Sequence, residues 1–79
     1  MEYYSVFVPK EYGKIVLKFQ EIMDRKGISR NKLAQLAGFR FEVANRLYKG
    51  EVEKIDLDVL ARACYVLDCS VTDIMEYVK

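Results

Sequence analysis

Three glycines, Gly27, Gly38 and Gly50, stand about three helical turns apart through the middle of the chain, and each closes a stretch with helical periodicity. Glycine supplies the left-handed backbone conformation at which helices commonly stop, so this punctuation confines the centre to short helices joined by tight turns. Before Gly27, Phe19, Ile22 and Met23 share one face of a helix expected from about Lys18 to Lys26. Ser29 stands where it can cap the next helix, in which Leu33, Ala34, Leu36 and Ala37 predict close packing through small members. Between Gly38 and Gly50, Val43, Ala44 and Leu47 form an apolar stripe, while Glu42, Asn45, Arg46 and Lys49 fall on the opposite side.

Beyond Gly50, residues 51–55 read as a loop. Asp56 then caps a helix expected to turn Leu57, Leu60, Ala61, Cys64 and Leu67 inward. Ser70 with Asp73 forms a capping-box pattern opening a last helix, with Ile74, Tyr77 and Val78 as its apolar residues. Five helices result. The first residues differ: Tyr3, Tyr4, Val6, Phe7 and Val8 favour extended structure, Pro9 interrupts them, and Ile15–Leu17 is again rich in β-branched side chains. The expected organisation is therefore an extended arm over residues 1–17 and a helical domain over residues 18–79. A lone strand leaves its backbone groups unpaired, so the arm is expected to pair with Ile15–Leu17 or with a second chain, making a homodimer.

A chain of 79 residues has room for one modest core, and 52% hydrophobic with 32% charged residues suits a folded domain. Its net charge of +1 conceals an asymmetry. Residues 25–50 hold seven bases and one acid, whereas residues 51–79 hold three bases and seven acids. An anionic partner is thus directed to the middle of the chain. There is no histidine, and Cys64 and Cys69 lack metal-ligand spacing, so no metal is expected and the thiols read as reduced and packed. Asp56 and Asp58 are explained by a helix start and Ser29 and Ser70 by capping, which leaves no catalytic set, no cofactor and no small-molecule effector site. No apolar run has membrane-spanning length, and Met1–Pro9 carries an acid where a signal peptide is basic, so the cytoplasm is the expected location.

Two short helices joined by a tight, glycine-containing turn, with a polar and largely basic face on the second, meet the requirements of a helix-turn-helix. Ala34 suits this arrangement, since a larger side chain would force the two helices apart. The segments "KGISRNKLAQLAGF", "RFEVANRLYKG" and "IDLDVLARACYVLDCSVTDIMEY", within Phe19–Val78, resemble the phage-repressor, Cro/XRE-type helix-turn-helix family. The opening at Ile55–Asp58 and the turn at Leu67–Cys69 resemble its small stand-alone bacterial members. That resemblance implies an all-α, five-helix, lambda-repressor-like DNA-binding domain that binds double-stranded operator DNA as a dimer.

By the same resemblance, Arg30 and Asn31 open the helix that crosses the phosphate backbone and set register without reading sequence. Arg40, Phe41, Glu42, Asn45, Arg46 and Lys49 point from the recognition helix toward the major groove. There arginine suits guanine O6 and N7, asparagine suits adenine N6 and N7, glutamate suits cytosine N4, and Phe41 suits a thymine methyl. Tyr48 is expected at the core edge. The sequence departs from the family pattern in three ways: Arg40 replaces a capping serine or threonine, Ala44 replaces isoleucine or valine, and Phe41 with Glu42 suits phosphate poorly. The function expected is a sequence-specific transcriptional regulator that represses by steric block. The alternative is a protein-interaction module of the same fold, such as an antitoxin-like partner, which the aromatic cluster Tyr3, Tyr4, Phe7 and Tyr12 favours.

Overall fold

The computed structural model describes residues 11–79. Most of the expected arm, including Tyr3, Tyr4 and Phe7, lies outside the described residues. A strand β1 (Lys14–Leu17) leads into helices α1 (Phe19–Lys26), α2 (Arg30–Ala37), α3 (Phe41–Lys49), α4 (Leu57–Leu67) and the single turn α5 (Val71–Ile74), and a strand β2 (Met75–Val78) closes the order. Five helices thus surround one core, with a two-stranded sheet beside them.

Local chemistry sets most of the boundaries. The Ser29 hydroxyl accepts from the Lys32 amide at 3.1 Å, and Asp56 Oδ1 accepts from the Asp58 amide at 2.7 Å, so α2 and α4 each begin on the expected cap. The Ser70 amide donates to Asp73 Oδ2 at 3.0 Å, opening α5. Gly38, at φ 75°, ends α2 in the left-handed region that a side chain disfavours, and the Phe39 amide returns to the Ala34 carbonyl at 2.8 Å. The ends of α2 and α4 also receive cations from neighbouring helices. Lys26 Nζ donates to the Leu67 carbonyl and, at 3.3 Å, to that of Asp68, while Arg62 Nη1 donates to the Ala37 carbonyl at 3.3 Å. Carbonyls left unpaired at a helix terminus carry partial negative charge, which is why cations settle there.

Phe19, Met23, Leu33, Leu67 and Ile74 are fully buried and, with Ile22, Ala44, Leu47, Leu60 and Ala63, form one continuous core. Burial of each large side chain contributes roughly 1.5–3 kcal/mol, and every helix supplies at least one.

The structure corrects several sequence-based expectations. The fold is mostly helical rather than all-α, because the last helix stops after one turn and Tyr77 and Val78 lie on β2. β2 pairs antiparallel with β1 in the register Lys14↔Val78 to Leu17↔Met75. Ile15–Leu17 therefore finds a strand partner at the far end of this chain, and pairing of two backbones outweighs the helical spacing of Ile74, Tyr77 and Val78. In α4 the inward stripe is Leu60, Ala63 and Leu67 with Cys64 half-buried, whereas Leu57 is 78% exposed and Ala61 is exposed. The stripe follows the neighbours of α4, which packs against α2 and α1. Leu36 is likewise 54% exposed, with only Leu33, Ala34 and Ala37 of α2 in the core. No helix among the described residues is long and apolar enough to cross a membrane.

Candidate nucleic-acid interface

The candidate face is built from α2, the Gly38–Arg40 turn and α3. Phe41, Glu42, Asn45, Arg46 and Lys49 occupy positions i, i+1, i+4, i+5 and i+8 of α3 and so form one stripe along it. Ala44 and Leu47 point the other way into the core, with Val43 half-buried beside them. Every member of the stripe is exposed except Asn45, which is half-buried, and Phe41 retains 46% exposure. Arg40 occupies the capping position of α3, exposed and without a side-chain bond to the helix, as its residue type predicts. Glu42 lies in the first turn of α3 and Arg46 and Lys49 in the last, each favourably placed on the helix dipole.

Arg30 opens α2 but is bound to α3. Its Nη1 donates to Asn45 Oδ1 at 2.8 Å, and its guanidinium carbon lies 4.9 Å from the centroid of the Tyr48 ring. The Tyr48 hydroxyl in turn donates to Asp24 Oδ1 at 2.9 Å. One chain of contacts, Asp24–Tyr48–Arg30–Asn45, thereby links α1, α2 and α3. Tyr48 packs against the core edge as expected, with its hydroxyl at the surface. Asn31 is exposed at the second position of α2, beside Lys32.

The basic character of the middle segment divides in space. Lys26 faces the end of α4, so it is withdrawn from this face, while Lys32, Arg40, Arg46 and Lys49 remain exposed. The coupling of Arg30 to Asn45 was not legible from the sequence, since the two are fifteen positions apart and no local pattern joins them.

Residues 18–79 match the model of the Cro/C1-type helix-turn-helix DNA-binding domain. The chain belongs to this family. No curated protein matches this Cro/C1-type chain. Among solved structures it is similar to the crystal structure of the transcriptional regulator VanUg, Form II, with a TM-score of 0.69 and 19% sequence identity over 90% of this chain and 93% of that one. At that identity the likeness concerns the fold, and it extends over nearly the whole of both chains. In this Cro/C1-type domain, α2 and α3, joined by the tight turn at Gly38, have the arrangement of a helix-turn-helix pair.

Proposed function

We propose that this Cro/C1-type protein is a sequence-specific transcriptional regulator acting in the cytoplasm, a repressor that binds a two-fold-symmetric operator as a dimer. The observation that carries the reading is the exposed stripe Phe41, Glu42, Asn45, Arg46 and Lys49 on a helix whose opposite face is locked into the core. Such a helix can enter a major groove without disturbing the fold. Arg30 and Asn31, at the start of α2, serve as phosphate contacts, with the donors Arg30 does not spend on Asn45 free for that role. Arg40, Phe41, Glu42, Asn45, Arg46 and Lys49 serve as the groove-facing set. Two copies related by a two-fold axis would engage successive major grooves about one helical turn apart and exclude polymerase.

A second reading, a protein-interaction module, is favoured by one surface away from the stripe. Leu36 on α2 and Tyr65 on α4, 54% and 87% exposed, line two open clefts with Val66, one of them mainly apolar.

Selection of the purified protein on a random duplex library, followed by titration of the enriched site against salt, separates the two. A symmetric enriched site whose affinity falls steeply with salt is the outcome expected of the regulator. No enrichment, with binding weak even at low salt, would transfer the function to the Leu36–Tyr65 surface.

A further inference from the structure

We infer that Arg30 sets the base preference of Asn45, turning it from adenine toward guanine; the inference rests on the DNA-reading role proposed above. A guanidinium has only donors, so the amide atom it meets at 2.8 Å is the acceptor Oδ1, and the Asn45 amino group is left as the part of the amide available to a ligand. The pairing is braced on the Arg30 side. Arg30 stacks on Tyr48, and Tyr48 is held by Asp24, so the amide cannot turn over without giving up a charge-assisted hydrogen bond.

Recognition of adenine by asparagine needs Oδ1 to accept from N6 while Nδ2 donates to N7. Here one lone pair of Oδ1 is already engaged, and the other lies beside a cation that repels the positive hydrogens of the N6 amino group. Guanine presents O6 and N7, two adjacent acceptors and no donor, on the same groove edge. The Arg30–Asn45 pair is a cluster of donors and matches guanine. Arg30 is thus a positioning residue for specificity, acting through Asn45, in addition to any phosphate it meets.

The test is library selection with the full chain as wild type, Asn45→Ala and Arg30→Met. Asn45→Ala identifies the base pair that Asn45 faces, as the position whose preference relaxes. At that position the wild type is expected to favour G·C over A·T by roughly threefold to tenfold, the range for one net hydrogen bond. Arg30→Met, a change at a half-exposed site at the start of α2, is expected to move that ratio toward A·T while preferences elsewhere in the site stay as they were. A purely structural role for Arg30 would instead weaken every sequence about equally. A wild-type preference for A·T there, a ratio unmoved by Arg30→Met, or no position relaxed by Asn45→Ala overturns the inference alone. Absence of any enriched site with the wild type overturns the DNA-reading role as well.

Discussion

Tyr48 on α3 donates its hydroxyl to the Asp24 carboxylate on α1 at 2.9 Å, across the same junction at which Arg30 stacks on its ring. That bond requires a neutral phenol, and together with partial desolvation it holds the Tyr48 pKa above the ordinary 10.0.

A group whose folded pKa is raised contributes stability that is complete below its unfolded value and is lost as pH rises through the folded one. Unfolding monitored in urea across alkaline pH should therefore show the wild type losing stability above pH 10.0, with a smaller loss in Tyr48→Phe. Identical profiles for the two proteins would remove Tyr48 as a cause.

At the other end of the scale stands Asp73. The Ser70 amide and then the Ser70 hydroxyl donate to its carboxylate, and they hold its pKa below the ordinary 3.8. This contribution is present above the unfolded pKa and disappears as pH falls through the folded one. Asp73→Asn should lower stability at neutral pH and flatten the acid limb of the profile. An acid limb as steep as that of the wild type would show that the capping carboxylate is not responsible.

Gly13 is needed for space. A Cβ built there would collide with the Val78 carbonyl at the end of β2, where the Gly13 amide also donates to the Tyr77 hydroxyl at 2.9 Å. Gly13→Ala is expected to cost roughly 1–3 kcal/mol, as overpacking does, and to release β2 from β1. Amide exchange confined to Lys14–Leu17 and Met75–Val78 would report it, whereas unchanged protection in both strands would contradict it.

Ala34 lies buried on α2, the helix that packs against α3. Replacement by leucine should cost roughly 1–3 kcal/mol in urea unfolding and also reduce DNA selectivity, because the added volume changes how α3 is presented. A stable variant with wild-type selectivity would show that the spacing of the two helices is not critical.

Arg46, exposed in the stripe along α3, should behave differently from Lys32. Arg46→Ala is expected to relax preference at one position by roughly 1–3 kcal/mol, the discrimination of a bidentate guanine contact. Lys32→Ala should weaken all sequences alike and reduce the salt slope by about one. If Arg46→Ala selects the wild-type site unchanged, Arg46 is not a reader.

Helices α1 to α4, the caps of α2 and α4 and the turn at Gly38 were legible because their determinants lie within a few residues of one another. Ser29 finds its amide three positions on, Asp56 two positions on, and each apolar face repeats within a turn. The stripe on α3 followed from the same periodicity. Local signals misled at Leu57 and Ala61, where the periodicity marks a face without marking which edge of it a neighbouring helix covers.

The sequence by itself therefore determined the helix-turn-helix, its basic segment and the residues offered on α3, since helix formation and capping are settled by near neighbours. Only the tertiary structure decided that Met75–Val78 is a strand, because an extended segment takes its hydrogen bonds from whatever backbone lies beside it, here β1 from the far end of the chain. It alone also decided that Lys26 and Arg62 close the ends of other helices and that Arg30 holds Asn45. A long cationic side chain bonds to the nearest acceptor in space, and which acceptor that is depends on how the helices pack.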